Sequence, residues 1–218
     1  AAPVAMAEED INGVIRDFAS TAARAVAAGF DALEIHGAHG YLLSSFLSPL
    51  VNMRSDAWGS SDEGRMRLPL AVIDAVRREM PHGMPLLMRT SATDWHDVEA
   101  DLLRSIEFIQ RAQERGVDLV DVYSGGNSRR APIRPGPRYQ TELASRIRAA
   151  VDIPIGTIGM VTDGRQAELI LRTGQADGVF IGRAALADPR WWQRAAHQLG
   201  YDLPWVPPYQ WPQPQKAY

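Results

Sequence analysis

The stretch that decides the fold is Ala32-Leu33-Glu34-Ile35-His36-Gly37-Ala38-His39-Gly40-Tyr41. Ala32-Leu33-Glu34-Ile35 reads as a short apolar strand that runs straight into a glycine-rich loop loaded with titratable side chains. Before it, Ile11, Val14, Ile15, Phe18, Ala22 and Val26 recur at helical spacing and give one buried stripe over residues 11–28. Gly29 then closes that helix in the manner of a left-handed cap.

The same unit returns along the chain. Strands are expected at Leu86-Leu87-Met88, Leu119–Val122, Ile153–Ile158 and Gly178–Ile181. Between and after them fall helices around Ile73 and Val76, Leu102 to Ile109, Leu143 and Ile147, Ala167 to Leu171, and Trp192 to Leu199. Short apolar strands alternating with amphipathic helices make βαβ units and a parallel sheet. Each strand ends on chemistry: His36, Arg89, Ser124, Gly159 and Gly182-Arg183. A TIM barrel gathers its site at those ends, but so does a doubly wound sheet, so the pattern alone leaves both folds open. Five strands fall short of the eight that close a barrel. On the barrel reading, about three βα units precede Ala1.

Composition narrows the partners. Lys+Arg 23 against Asp+Glu 26 leaves a net charge of -3, without the clustered cations that nucleic acid demands. The densest basic spots, Arg77-Arg78 and Arg129-Arg130, are expected as solvated surface. With no cysteine, a disulfide scaffold, a Cys-ligated zinc and a Cys nucleophile are excluded, which fits a cytoplasmic protein. No apolar run approaches the roughly 20 residues of a membrane helix, and Ala1-Ala2-Pro3-Val4 is not a signal peptide. The absence of an initiator Met implies a processed or shortened chain. Residues 201–218 hold five prolines with Trp205 and Trp211, and are expected as an extended arm over the body or onto a neighbouring subunit.

Three groups carry candidate chemistry. Gly159 and Gly182-Arg183 follow the last two strands, where barrels bind a cofactor phosphate through backbone N–H groups and a short helix N-terminus. His36 and His39, three apart with Tyr41 beyond, suit hydrogen bonding to a substrate oxygen with a tyrosine as proton donor. They also suit packing, or a metal if Glu34 joins them. Arg89 ends an apolar strand and needs an anion, either a bound ligand or an internal partner such as Asp94 or Asp121.

The run Glu34–Leu43, continued by Phe46-Leu47-Ser48-Pro49, closely resembles the signature of the old yellow enzymes, most of all their thermophilic-like bacterial branch. Asn52, Arg54, Asp56, Gly59, Arg65, Arg67, the run Arg89–Asp94, and the stretches from Gly116 to Arg183 and Asp188-Pro189 follow the same pattern, over nearly the whole chain to about residue 200. The resemblance implies the α/β fold of a (β/α)8 TIM barrel, with residues 1–200 supplying its last five βα units and 201–218 an arm. It implies FMN as cofactor, NADPH or NADH as hydride donor, and an activated alkene as the small-molecule substrate. His36, Gly37, Ala38, His39 and Tyr41 would bind substrate, with the two histidines on its oxygen and Tyr41 protonating carbon. Arg89 would stand beside the flavin, and Gly159, Gly182 and Arg183 on its phosphate. No metal is implied. The partner would be a second copy or a complementing N-terminal part.

The chain departs from the pattern in Ser60-Ser61-Asp62-Glu63-Gly64, in Tyr123 where a serine is usual, and in Tyr209-Gln210-Trp211, which lacks the branch's terminal arginine. An alternative follows: an incomplete barrel, inactive alone, belonging to a split enzyme or to a larger monooxygenase/reductase fusion.

Overall fold

In a computed structural model, residues 4–201, 203, 204 and 208 are described. The long helix α1 (Glu8–Ala27) opens with three acids in its first turn, which complement the helix dipole, and the Asp10 carboxylate accepts the Ala7 N–H at 2.8 Å. Gly29, at φ +84°, ends it as expected. Then come β1 (Leu33–Gly37), the short α2 (Leu42–Leu47), α3 (Asp62–Glu79) and β2 (Leu86–Ser91). The later units are α4 (Val98–Gln113), β3 (Leu119–Tyr123), α5 (Thr141–Arg148), β4 (Ile155–Thr157), α6 (Gly164–Arg172), β5 (Gly178–Val179), α7 (Arg183–Ala187) and α8 (Trp191–Gln198). Side-chain caps fix three starts: Ser61 accepts from Gly64 N–H, Asp97 from Ala100 and Asp163 from Gln166.

All five strands are parallel and lie in sequence order, β1-β2-β3-β4-β5. A doubly wound sheet reverses its order at a switch point; this one does not, so the barrel reading holds. Alternate residues face opposite ways. One face carries Ile35, Met88, Val120, Val122 and Ile155, all nearly inaccessible beneath the helices. The core continues through Ile11, Leu68, Ile73, Leu102, Phe108 and Ile147. The other face carries Glu34, His36, Arg89, Asp121 and Tyr123. Register aligns His36, Arg89, Asp121, Gly156 and Gly178 in a single row across the sheet. Gly156 has no side chain because the Phe180 ring lies there; a Cβ would meet it at 2.3 Å.

Several expectations shift. The strand expected over 153–158 forms only over Ile155–Thr157, since Pro154 has no N–H for the ladder, although its carbonyl still accepts from Val120 at 3.1 Å. The last strand keeps two ladder residues, with Phe180 N–H still bonded to the Thr157 carbonyl. Helices α2 and α7 were not expected, being too short to show a period. Arg77 is not solvated surface: its guanidinium ties α3 to the Met84 and Gly116 carbonyls and to Asp118. Arg129 and Arg130 are exposed. Apart from Tyr201, Leu203, Pro204 and Pro208, the expected arm, with Trp205 and Tyr209-Gln210-Trp211, lies outside the described residues. No helix among the described residues is long and apolar enough to cross a membrane.

Candidate active site

The loop after β1 folds back so that both histidines meet. His39 takes φ +66° and Gly40 φ +76°, which turns the chain sharply at the strand end. The turn is held from the neighbouring strands: His39 N–H donates to Ser91 Oγ at 3.2 Å, and Ser91 Oγ donates to the Gly125 carbonyl at 2.8 Å. Gly126 lies so close that a Cβ there would stand 2.2 Å from the His39 carbonyl carbon, and one on Gly40 would stand 2.3 Å from the Gly126 oxygen. Gly37 is glycine for a similar reason, with Met88 at 2.5 Å from where its Cβ would be. Ala38 is fully buried beneath the turn.

His36 and His39 sit side by side, Nε2 to Nδ1, at 3.1 Å, with ring centroids 4.8 Å apart. Burial, then Arg89, lowers the His36 pKa; burial, then His36 and Arg89, takes His39 down to about 4. Both rings are therefore neutral near pH 7. The Ala38 N–H reaches His36 Nδ1 at 3.4 Å, so Nδ1 accepts and the proton resides on Nε2. His36 Nε2–H then donates to His39 Nδ1, which leaves the second proton of the pair on His39 Nε2. Tyr41 caps α2 in sequence but not by hydrogen bond; its ring is 5.3 Å from His36 and mostly exposed. The Tyr123 ring stands edge-on to His39, centroids 3.9 Å apart, and so crowds the mouth of the site.

Arg89 has its internal partner, and it is Asp121. Arg89 Nε donates to Asp121 Oδ2 at 2.5 Å, while Glu34 approaches the other end of the guanidinium at 3.9 Å. Burial pushes the Asp121 carboxyl above the usual carboxylate range, against the pull of Arg89. Asp94 is occupied elsewhere, accepting from Ser48 at 2.5 Å and Asn127 at 3.0 Å. Glu34 thus faces Arg89, and among the described residues no group of three His, Asp or Glu could hold a metal.

At the far end, Gly159 takes φ +135°, a glycine conformation, and its carbonyl accepts the Arg138 N–H at 2.8 Å. Gly182 is exposed with open space where a Cβ would be, and α7 begins on Arg183 with no side-chain cap. These features leave room and uncapped N–H groups for a phosphate. The Arg89 guanidinium, tied only through Nε at close range, keeps donors toward the open face. The donor set fits a flavin mononucleotide: a phosphate cradle at one end and a cation in the middle.

The sequence pattern of the NADH:flavin oxidoreductase / NADH oxidase family matches residues 1–202. The chain belongs to this family. It is the family of the old yellow enzymes, FMN-dependent oxidoreductases that draw hydride from a nicotinamide. Among its relatives, an NADPH dehydrogenase of Bacillus licheniformis is 46% identical over 93% of this chain and 61% of its own length. Another from Bacillus subtilis is 44% identical over 94% of this chain and 60% of its own. The chain thus spans about three fifths of these relatives. Two solved structures superpose well. A 2-naphthoyl-CoA reductase in complex with 2-naphthoyl-CoA has a TM-score of 0.79 at 25% identity, over 91% of this chain and 30% of that one. Morphinone reductase in complex with tetrahydroNAD gives 0.74 at 25% identity, over 94% of this chain and 53% of that one.

Some of this family member's site was not legible beforehand. Ser91 and Asn127 are single polar residues with no spacing signal, and register chose Asp121 over Asp94 for Arg89. Gly125-Gly126 did carry one, as paired glycines after a strand mark a close backbone approach. Trp95, at φ +67° and stacked on Tyr139, carried none.

Proposed function

We propose that this chain provides the substrate site and part of the cofactor site of an FMN-dependent NAD(P)H oxidoreductase that reduces activated C=C bonds of unsaturated carbonyl or nitro compounds. The observation that carries this is the neutral His36–His39 pair on a rigid turn at the C-terminal ends of barrel strands. When bound, the flavin supplies hydride taken from NADPH or NADH. His39 offers Nε2–H to the substrate carbonyl or nitro oxygen, and His36 gives its own Nε2–H to His39 or to that oxygen. The preformed His39 Nε2–H, held in that tautomer by His36, stabilises the negative charge that grows there as the β-carbon is reduced. Tyr41 stands beside His36 and delivers a proton to the α-carbon. Gly37 and Ala38 form the floor. Arg89, oriented by Asp121, places positive charge beside the flavin, and Gly159, Gly182 and Arg183 take its phosphate. The protein works in the cytoplasm, as a homo-oligomer or joined to further βα units.

The test is a titration of the purified chain with FMN, followed by NADPH oxidation with 2-cyclohexenone. Quenched flavin fluorescence and enone-dependent turnover are expected; free flavin fluorescence throughout would count against activity of this chain by itself. Tyr41→Phe should slow alkene turnover by about 10²-fold or more while sparing flavin reduction by NADPH. Equal loss in both half-reactions would contradict the role of Tyr41.

A second reading rests on the open polar face of the five-stranded sheet. There, the chain binds flavin only with the first three βα units of the barrel present, as one part of a split enzyme or of a monooxygenase/reductase fusion. Adding those units as a separate polypeptide should then restore flavin binding, and failure to do so would remove the split-enzyme version.

A further inference from the structure

One eleven-residue stretch runs against the net acidity of the chain. Ser128-Arg129-Arg130-Ala131-Pro132-Ile133-Arg134-Pro135-Gly136-Pro137-Arg138 holds four arginines, three prolines and no acid. It forms the loop between β3 and α5, at the same end of the sheet as the histidine pair. Both ends of the loop are pinned. Gly125 N–H donates to the Thr93 carbonyl at 2.7 Å, Gly126 abuts the His39–Gly40 backbone, and Arg138 N–H donates to the Gly159 carbonyl. The cations are therefore strung between the histidine pair and the candidate phosphate cradle. Arg183 lies nearby, close enough to act on the Tyr139 hydroxyl next to Arg138.

Arg129, Arg130 and Arg134 are exposed, and Arg138 is half-buried. Among the described residues, none of these four, nor Arg183, has a carboxylate within 4.0 Å. Elsewhere in the chain, arginines such as Arg54, Arg77, Arg146 and Arg148 are paired with acids. Arg138 also holds φ +64°, a conformation that favours glycine and strains a side-chain-bearing residue. Three prolines stiffen the loop, so little freedom is left to lose when it binds. Unpaired arginine forks on a stiff loop suit phosphate oxygens.

We propose that the β3–α5 loop is a phosphate-recognition rim for the adenine-nucleotide end of a ligand whose reactive end enters the His36–His39 site. What enters that site rests on the function proposed above; the rim itself rests on charge and geometry. The chemistry recognised is an adenosine carrying a ribose phosphate as well as a 5′-phosphate. It has two sources: a 2′-phosphorylated nicotinamide donor, or a coenzyme A thioester with its 3′-phosphate.

The test uses nucleotide ends alone, which need no flavin. The full chain is titrated calorimetrically with adenosine 2′,5′-bisphosphate, adenosine 3′,5′-bisphosphate and adenosine 5′-monophosphate. At least one bisphosphate should bind about tenfold tighter than the monophosphate, the scale of one charge-assisted contact. A 2′ preference assigns the rim to the hydride donor, a 3′ preference to a thioester substrate. The preference should weaken with salt, and vanish in Arg129→Ala/Arg130→Ala/Arg134→Ala. Arg138→Gly should lower bisphosphate affinity several-fold while leaving the urea midpoint unchanged or higher, since glycine relieves the strained backbone; a merely structural residue would not split that way. Equal binding of all three nucleotides, or a triple variant that keeps the preference, overturns the rim. FMN quenching on the same samples separates the two ideas: no flavin binding with the preference intact would count against activity of this chain by itself and leave the rim standing.

Discussion

The two faces of the sheet are built from alternate residues of the same strands, yet they obey different rules. On the helix-covered face, Ile35, Met88, Val120 and Ile155 are interchangeable in kind; each excludes water and none has a partner of its own. On the open face, Glu34, His36, Arg89, Asp121 and Tyr123 are each defined by a particular neighbour. Burial of apolar area is non-directional and sums over many groups, whereas charge and hydrogen bonding are directional and few. The same five strands thus hold fold and chemistry in separable halves, one residue apart.

That separation can be broken most severely at Val120. Val120→Asp sets an unpaired carboxylate into the covered face, and should cost about 4–5 kcal/mol or more, a large share of the roughly 5–15 kcal/mol that holds a domain folded. A cooperative urea transition near the wild-type midpoint would show that this face is not the core. One residue along, Asp121→Ala crosses to the open face. It strands Arg89, which is partly solvated, so the loss should be about 2 kcal/mol, between an exposed and a buried pair. A midpoint as low as that of Val120→Asp would erase the distinction between faces.

A third test is in pH. The His39 pKa is depressed in the folded chain to about 4, against an unfolded value near 6.5. Between those values the unfolded chain binds more protons, so the contribution of His39 is complete above pH 6.5 and is lost as pH falls toward about 4. His39→Gln should flatten that part of the stability profile. Superimposable profiles for the two proteins would show that His39 does not titrate as its surroundings require.

The covered face was the legible one. Its alternation of strands and helices, the Gly29 stop and the stripe from Ile11 to Val26 all follow from periodicity, which repeats over many residues. The strand order was not legible, because βαβ alternation permits both a sequential and a reversing sheet; hydrogen-bond register decides between them. In the site, His36, His39 and Tyr41 stood out through density in a single loop and through the family signature. The partner that holds the turn, Ser91, lies 52 positions beyond His39, and a pairing of that kind leaves no local trace. The choice of Asp121 over Asp94 for Arg89 likewise belongs to register, which sets Asp121 beside Arg89 on the adjacent strand.

The contact between Gly40 and Gly126 welds two loops that are otherwise far apart in the chain. Neither loop has slack to lengthen, shorten or accept a side chain at its point of contact without moving the other. Variation that retunes the arginine loop must therefore occur beyond Gly126, toward its tip, while its root is inherited together with the histidine turn. In hydrogen-exchange terms, the amides of His39, Gly40 and Gly125 belong to one opening unit and should be released together.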